Sequence, residues 1–282
     1  LSKVYFMKKD KLFLLDKKNI VITGSSGLLG DVYANVVLRY GGNPILIDSN
    51  KKSLDIQKKK IANKYKKNVM ALNIDITNED DIKKSIPKIL KKFRKIDALI
   101  NNAANNPKVE KNNKLNFSRL ENFDLKDWEN DIDVGLKGSF LCAKYYGAQI
   151  SKNKNGGTII NISSDLGLIA PDQRLYEKKN LTHDLQPVKP VTYSVVKSGI
   201  IGLTRYLATY WSNKNVRCNA ICPGGVENQQ SKLFLNRVAN LIPLKRLAKK
   251  DEYQGIIIFL LSDSASYLNG AIIPIDGGRS VW

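Results

Sequence analysis

Tyr193 and Lys197 lie four positions apart in the segment "VTYSVVKSGI" (191–200). On a helix, residues with this spacing share one face, so the phenol and the ammonium group would lie side by side. A phenol has an ordinary pKa of about 10, and a fixed ammonium nearby stabilises the phenolate and lowers that pKa. The spacing therefore predicts a general acid–base pair, although it also fits an ordinary pair on a helix surface.

A glycine-rich stretch, "TGSSGLLG" (23–30), suggests a second chemical function. Gly24, Gly27 and Gly30 lie between a β-branched run and a helical pattern. Glycines at such a turn let the backbone approach a pyrophosphate, and the N-terminus of the helix offers free N–H groups to the phosphates. A tight turn without a ligand is the simpler alternative.

Asp48 strengthens the dinucleotide interpretation. It ends the second β-branched run, close to the roughly 20-residue distance from the glycines that is typical of an acid binding the ribose 2′-hydroxyl. A carboxylate at this place repels a 2′-phosphate, which favours NAD over NADP. Lys51 and Lys52 follow closely and would partly offset that repulsion, so NADP is the less favoured alternative.

These residues need a scaffold, and the chain alternates β-branched runs with amphipathic stretches. The runs predict strands at 19–24, 43–48, 69–75, 97–103, 157–163, 216–222 and 271–276. The stretches between them predict helices at 27–40, 51–67, 78–94, 125–150, 190–212 and 249–262. Apolar strands joined by helices predict an α/β fold, with a doubly wound, Rossmann-like parallel sheet and helices on both faces.

We expect a single domain over residues 19–282, because no linker or repeat interrupts the alternating pattern. An N-terminal extension, residues 1–18, precedes it. Three longer segments, 105–124, 165–190 and 225–248, follow the carboxyl ends of predicted strands. Ligands bind at those ends in sheets of this kind, so the three segments are expected to border the functional site.

The composition limits the class of protein. The chain has 282 residues, 43% of them hydrophobic, and shows neither a membrane-length apolar run nor a secretory signal. The net charge of +20, from 46 basic and 26 acidic residues, would fit a nucleic-acid partner. The lysines are spread over many segments without an arginine-rich stripe. We therefore expect no nucleic-acid and no membrane partner, but a positive field that attracts anionic substrates.

Neither disulfides nor a metal site are expected. Cys142, Cys218 and Cys222 form no paired clusters, which is typical of a protein of the reducing cytoplasm. His183 is the only histidine, so ligands for a metal are lacking and a Ser-His-Asp triad has little support. Met7 is a candidate natural start of the chain.

Taken together, these motifs resemble the short-chain dehydrogenase/reductase family. The resemblance covers nearly everything from residue 19 to the end and is specific in the order and spacing of its parts. It rests on "TGSSGLLG" (23–30), "NID" (73–75), "NNAA" (101–104), "INISS" (160–164), "YSVVK" (193–197), "NAICPGGV" (219–226) and "NGAIIPIDGG" (269–278). It implies a nicotinamide-dependent oxidoreductase that exchanges a hydride with a carbonyl or alcohol.

The resemblance implies catalytic roles for Ser164, Tyr193 and Lys197. In this family the tyrosine exchanges a proton with the substrate oxygen, the lysine also holds the nicotinamide ribose, and the serine hydrogen-bonds the substrate oxygen. Ser163 is the alternative serine, although alternate strand residues face opposite sides. The cofactor-binding positions that carry over, with Asn101 as a further match, are Gly24, Ser26, Gly27, Leu29, Gly30, Asp48, Asp75, Ile76, Asn102, Ala103, Tyr193, Lys197, Pro223, Gly224 and Val226.

Two departures from the family pattern bear on activity. The middle glycine of the 23–30 stretch is shifted by one position. Gly135 stands where the family has an asparagine that holds a water in a proton relay to the lysine. A freed backbone carbonyl, an extra water or Asp131 one turn earlier would then have to substitute for it; otherwise the enzyme is slow or inactive.

A third departure is an insertion, residues 172–190, before the tyrosine helix. It is either a solvated loop or a lid over the substrate, and its basic residues are Arg174, Lys178, Lys179, His183 and Lys189. With "APDQRLY" (170–176) and "QPVKPVTYSVVK" (186–197), this region resembles the subgroup named flagellin modification protein A. That resemblance implies a sugar or sugar-phosphate substrate in the biosynthesis of bacterial surface glycans.

The sequence thus predicts a cytoplasmic, NAD-dependent oxidoreductase without a metal, acting on a small anionic or sugar-like substrate. The resemblance also implies a homodimer or homotetramer, associated through the helices predicted at 125–150 and 190–212. A 3-oxoacyl-type or polyol dehydrogenase is an alternative within the family. A non-catalytic NAD-binding regulator is the alternative outside it, and Gly135 is the residue that favours this.

Overall fold

The computed structural model of the chain describes residues 11–105 and 118–282. Within them, seven strands form one sheet: β1 (Asn19–Thr23), β2 (Asn43–Asp48), β3 (Met70–Asn73), β4 (Ala98–Asn101), β5 (Gly157–Ile162), β6 (Val216–Pro223) and β7 (Ile272–Ile275). Neighbouring strands are parallel, in the order β3-β2-β1-β4-β5-β6-β7. The predicted doubly wound α/β fold is confirmed.

Helices cover the sheet, and those in the described ranges overlap every predicted one. They are α1 (Leu28–Arg39), α2 (Lys51–Tyr65), α3 (Glu79–Phe93), α4 (Leu125–Ile132), α5 (Gly138–Cys142), α6 (Ala148–Ile150), α7 (Val191–Tyr210), α8 (Lys232–Ala239) and α9 (Gln254–Leu261). The predicted helix at 125–150 is interrupted by two π-helical segments, Asp133–Lys137 and Ala143–Gly147. Such segments widen a helix locally and recur at functional sites.

The order in which strands are added to the sheet reverses at β1. After β3 at one edge, the chain crosses to the other side of β1, where β4 pairs with it. The turns that follow β1 and β4 therefore lead away from each other, and a crevice opens between them at the carboxyl ends of the strands. The glycine-rich stretch follows β1 directly, so the fold puts it at this crevice.

Both faces of the sheet are buried, which explains the continuous apolar runs in the sequence. All five residues of β1 are buried. Ile22 packs with Tyr33 of α1 in one hydrophobic cluster, whereas its neighbour Val21 packs with Tyr146 in the cluster on the opposite face. Successive strand side chains point to opposite faces, so one strand contributes to both clusters.

Gly135 allows the segment Asp133–Lys137 to pack closely against α7. A Cβ atom at position 135 would lie only 2.4 Å from Cγ1 of Val196. Such an overlap forces the Val196 side chain or the helix to shift, so a side chain here, such as the asparagine of the family pattern, is destabilising while Val196 keeps its place. The loss of that asparagine is therefore tied to the bulk of Val196 on the tyrosine helix.

Two regions differ from the sequence-based expectation. The 225–248 segment, for which no helix was predicted, contains α8, whose N-terminus is capped by the Ser231 side chain accepting a hydrogen bond from the Phe234 N–H. A capping serine before apolar residues is the signal that would have found this helix. Leu15 is fully buried in the core, so packing begins ahead of the predicted boundary at residue 18. Most of the predicted loop at 105–124 lies outside the described residues.

Candidate active site

A cavity of about 720 Å³ lies at the carboxyl ends of the strands. This volume is in the range of small-molecule and cofactor sites. Its lining runs from the glycine-rich turn and Asp48 at one end to Ser164, Tyr193 and Lys197 at the other. The described part of the chain thus brings both predicted chemical functions into one continuous space.

The turn after β1 depends on Gly24. Its φ of +58° is in the left-handed region, and a Cβ atom there would lie 2.8 Å from the Cα of Ala103. Gln57 of α2 holds the turn from behind, because its side-chain amide donates to the Ser25 carbonyl at 2.7 Å and accepts from the Ser25 hydroxyl at 3.1 Å. Gln57 is a support that the sequence motifs did not reveal.

Helix α1 begins at Leu28, so its free N–H groups lie beside the cavity at the glycine-rich turn. Gly27, which precedes Leu28, has an extended backbone and lines the cavity. A Cβ atom on Gly27 would have one heavy atom within 4 Å, the Gly24 carbonyl oxygen at 3.3 Å. The donors and the open space fit a bound pyrophosphate. The glycine-rich turn, Asp48 and the Ser164, Tyr193 and Lys197 end of the cavity together suit a nicotinamide dinucleotide.

Gly30, which the sequence predicts as a cofactor-binding residue, does not line the cavity. It is buried in the first turn of α1, where a Cβ atom would lie 2.2 Å from the Gly24 carbonyl oxygen and 2.8 Å from the Cα of Ser25. Its role is therefore indirect, since it lets α1 pack against the back of the turn.

Asp48 lines the cavity and also supports the turn. Its Oδ2 atom accepts hydrogen bonds from the Ser26 N–H at 3.0 Å and the Ser26 hydroxyl at 2.6 Å, and its Oδ1 accepts from the Asn50 N–H at 2.9 Å. A carboxylate held in this way has a defined orientation at the edge of the site.

The other predicted cofactor-binding residues line the same cavity: Gly24, Ser26, Gly27, Leu29, Asp75, Ile76, Asn102, Ala103, Pro223, Gly224 and Val226. The Asn102 amide donates to the carbonyls of Thr23 and Gly24, which joins the ends of β1 and β4. Asn101 faces away, because its amide donates to Asn161 within the buried interior.

At the far end, Ser164, Tyr193 and Lys197 come together from β5 and α7. The Lys197 ammonium donates to the Ile162 carbonyl at 2.9 Å and lies 5.8 Å from the centre of the Tyr193 ring. The Ser164 hydroxyl, which donates to Oδ1 of Asp165 at 2.8 Å, lies close enough to Tyr193 to lower the pKa of the phenol. Ser163 instead donates its hydroxyl to the Lys197 carbonyl at 2.7 Å, which fixes α7 to the end of β5.

The pKa values at this end are governed by burial. Burial raises the pKa of Tyr193, whereas the nearby Ser164 hydroxyl acts to lower it. Burial lowers the pKa of Lys197 to about 8, and the charge of Lys189 acts in the same direction. The net pKa of Tyr193 is therefore raised rather than lowered, because the loss of solvation outweighs the neighbouring charge.

Lys189 is the basic residue of the insertion that reaches the cavity. Its ammonium lies 3.8 Å from the centre of the Tyr193 ring, and burial lowers its pKa to about 8, against the attraction of Asp165 and Asp131. Arg174 pairs with Asp172 instead. The exposed Lys178, Lys179 and His183 do not line the cavity.

The insertion is anchored to α8. The Arg237 guanidinium donates to the Glu177 carbonyl at 2.6 Å. Leu175 packs with Val238, and Tyr176 contacts the ring of Phe234 at a centroid distance of 6.0 Å. The cavity is lined by Leu175, Tyr176, Phe234 and Val238. The insertion and α8 thus form one wall of the cavity at the end with Ser164, Tyr193 and Lys197, which is called the substrate end below.

Asp165 and Arg279 are two cavity residues that the motifs missed. The Arg279 guanidinium donates to Oδ2 of Asp165 at 2.8 Å, and their side chains are only 9% and 4% exposed. Asp165 directly follows the predicted serine. A charged residue placed between that serine and an apolar run was the available signal, although nothing in the sequence paired it with Arg279 near the C-terminus.

A second, small cavity of about 10 Å³ lies beside Lys197, bounded by Asp131, Gly135 and Thr192. Its size is enough for about one water molecule. The Thr192 hydroxyl donates to Asp131 at 2.6 Å, and the Gly135 carbonyl accepts from the Ser139 hydroxyl at 2.8 Å. Of the substitutes proposed for the missing asparagine, the Gly135 carbonyl and Asp131 each have one partner already, and the cavity has room for the third, a water.

Comparison with known proteins agrees with this geometry. A family model described as short chain dehydrogenase matches residues 18–176. The chain belongs to the short-chain dehydrogenase family. It is thus an oxidoreductase of a family that uses NAD(P). A second model, described as enoyl-(acyl carrier protein) reductase, matches residues 182–280 of this short-chain dehydrogenase.

Individual relatives cover nearly the whole chain. The post-translational flagellin modification protein A of Campylobacter coli is 28% identical over 94% of this chain and 99% of its own. A 3-oxoacyl-acyl-carrier-protein reductase of Thermotoga maritima is 30% identical over 94% and 98%. A short-chain dehydrogenase of Leptospira borgpetersenii, solved with bound NAD⁺, is 26% identical, covers 100% of both chains and has a TM-score of 0.82.

Residues 11–105 and 118–282 contain neither a cluster of metal-binding side chains nor a membrane-spanning helix. No group of three or more His, Cys, Asp or Glu residues there could hold a metal ion. No helix in these ranges is long and apolar enough to cross a membrane.

We predict that Gly30→Ala weakens binding of the dinucleotide. The new methyl group would overlap the Gly24 carbonyl, and overpacking of about 1–3 kcal/mol corresponds to roughly a tenfold to hundredfold loss of affinity. Fluorescence titration with NADH measures this loss. Gly255→Ala is the matched control, because it is also a helical glycine but has nothing within 4 Å of the new atom. Equal affinities of the two variants would contradict the packing role of Gly30.

Proposed function

We propose that this short-chain dehydrogenase transfers a hydride between NAD(H) and a carbonyl or alcohol of a sugar or sugar phosphate, in the modification of bacterial surface glycans. One observation supports it best. A single cavity joins a phosphate-binding turn and Asp48 to the Tyr193, Ser164 and Lys197 cluster, with a basic residue of the insertion beside them. A 3-oxoacyl-type or polyol dehydrogenase is the alternative within the family.

The chain's own residues would divide the chemistry between them. The nicotinamide cofactor, when bound, supplies or accepts the hydride. Tyr193 exchanges a proton with the substrate oxygen through its hydroxyl group, and Ser164 positions that oxygen by hydrogen bonding. Lys197 holds a positive charge near the phenol when protonated, and its contact with the Ile162 carbonyl fixes where that charge lies.

Three features support the substrate class. Lys189 adds positive charge at the substrate end, which suits a phosphate or carboxylate group, whereas the charge of Arg279 is balanced by Asp165. Tyr176 and Phe234 add apolar wall for the ring or carbon chain. The Campylobacter coli relative is named for flagellin modification and is similar over nearly its full length.

We also propose that the protein acts as a homodimer or homotetramer in the cytoplasm. Tyr206 and Tyr210 stack on each other on the exposed side of α7, and Phe140 of α5 is also about half exposed. Large exposed aromatic side chains on neighbouring helices are typical of a contact surface. The free thiols of Cys142, Cys218 and Cys222 suit a reducing compartment.

Tyr193→Phe is expected to reduce turnover by about a hundredfold to ten-thousandfold, because it removes the proton that the substrate oxygen exchanges. NADH affinity is expected to change little. The measurement is turnover across a panel of keto-sugars and sugar phosphates, with Tyr206→Phe on the same helix as the control. Turnover that persists in Tyr193→Phe would remove Tyr193 as the acid–base group. Dinucleotide binding by the wild type without turnover of any substrate would favour the regulatory alternative.

Asp48→Asn is expected to reduce the preference for NAD over NADP by about tenfold, since a neutral amide no longer repels a 2′-phosphate or binds the ribose as a charged acceptor. Titration with both dinucleotides gives the ratio. Asp55→Asn makes the same change in net charge at an exposed position of α2 and should leave the ratio unchanged. If both variants shift the ratio equally, Asp48 does not determine the preference.

Lys189→Gln is expected to raise KM for phosphorylated substrates by about tenfold relative to their uncharged counterparts, because it removes a partly buried cation from the substrate end. Steady-state kinetics on matched pairs of sugars and sugar phosphates measures the difference. Lys179→Gln in the exposed part of the same insertion is the control. An equal loss for charged and uncharged substrates would argue against recognition of an anionic group by Lys189.

A further inference from the structure

A third hydrophobic cluster lies apart from the two that cover the faces of the sheet. It is formed by the insertion, by α8 and by the segment that follows α8, and its buried members are Leu175, Val238, Ile242 and Leu247. The two sheet clusters contain none of these four residues. The insertion and α8 therefore share a small apolar core of their own beside the substrate end.

Arg237 of α8 adds a polar tie between the same two elements. It reaches the end of a short 3₁₀-helical turn of the insertion, Gln173–Tyr176. The Nη1 atom of its guanidinium lies 2.6 Å from the carbonyl oxygen of Glu177, 3.4 Å from that of Leu175 and 3.5 Å from that of Arg174. Carbonyls at the end of a helical turn have few partners within the turn, and an arginine side chain is a suitable donor to them. The position of this turn thus depends on α8.

The turn that Arg237 holds carries or supports groups of the substrate end. Tyr176 and Phe234 both line the cavity and contact each other at a ring-centroid distance of 6.0 Å, so they form an aromatic wall. The Gln173 side chain accepts a hydrogen bond from the backbone N–H of Lys189 at 2.8 Å. The Lys189 side chain also lines the cavity. A displacement of the turn would therefore move both the aromatic wall and the cation beside the substrate.

We infer that Arg237 is a positioning residue for the substrate: by tying the insertion to α8, it holds the aromatic wall and Lys189 in one arrangement before the substrate binds. This inference rests on the proposed function, because it concerns how the same site recognises a sugar or sugar phosphate. Arg237 itself does not line the cavity, so it acts through the residues that do. A wall that is already ordered binds its substrate more tightly, since less conformational freedom is lost on binding.

The groups that exchange the proton are held by other bonds. Tyr193 and Lys197 belong to α7, and the Ser163 hydroxyl fixes α7 to the end of β5 by donating to the Lys197 carbonyl at 2.7 Å. The bonds of Arg237 go to the insertion instead. Loss of the tie should therefore weaken the binding of the substrate and leave the chemical step nearly unchanged.

Arg237→Gln is expected to raise KM for keto-sugars and sugar phosphates by about tenfold, because it removes a charged donor from three carbonyls, and to change kcat and NADH affinity little. Arg237→Lys keeps a charged donor and should recover most of the loss. Lys232→Gln removes the same charge from an exposed position of α8 and should behave as the wild type. Steady-state kinetics gives both constants. An unchanged KM in Arg237→Gln, or an equal rise in Lys232→Gln, would overturn the inference.

A double-mutant cycle tests whether Arg237 acts through the aromatic wall. Phe234→Ala removes half of that wall, so there is less for Arg237 to position. The rise in KM caused by Arg237→Gln should then be much smaller in the Phe234→Ala background than in the wild type. If the two effects on KM simply multiply, Arg237 does not work through the wall and the inference fails.

Amide hydrogen exchange separates this inference from the proposed function, since it needs no substrate. Arg237→Gln should speed exchange in 173–177 and in 232–239 together, while β5 exchanges as in the wild type. Arg237 is only partly buried, and circular dichroism shows whether the variant is folded. Faster exchange in only one of the two segments, or in neither, would contradict the tie. Lack of turnover with every sugar, with the coupled exchange preserved, would contradict the proposed function alone.

Discussion

The burial of three ionisable side chains in one pocket controls the substrate end of this molecule. Tyr193, Lys189 and Lys197 share a space where charge is poorly solvated. Burial therefore raises the pKa of the phenol and lowers the pKa of both ammonium groups, which favours the neutral form of each. Charges interact more strongly there than at the surface. The protonation state of the phenol therefore depends on burial and on the charge of a neighbour, Asp165.

The parallel sheet makes this concentration of polar groups possible. Ser164 follows β5, Tyr193 is in the first turn of α7, and Arg279 follows β7. Because all seven strands point the same way, residues far apart in the sequence meet at one edge of the sheet. The insertion and α8 form the outer wall of the cavity at this edge. The reversal of strand order at β1 provides the crevice for the dinucleotide end.

The sequence predicted those features that depend on short-range patterns. The strands and most helices followed from the periodicity of apolar residues. The residues implied by the motifs and the family resemblance line the cavity, except for Gly30 and Asn101. Features set by long-range packing were not predictable. Asp165 and Arg279 are 114 positions apart, so no local pattern could pair them. The direction of the Tyr193 pKa shift required the extent of burial, and the role of Gly30 behind the turn required the path of the backbone.

The close contact between Gly135 and Val196 makes the choice of residue at one position depend on the residue at the other. A side chain at position 135 overlaps the valine, whereas trimming the valine alone would leave unfilled space against the glycine. Each residue is thus best accommodated in the presence of the other. Restoring the asparagine is expected to need a smaller residue at position 196 as well, so the effects of the two replacements should not be additive.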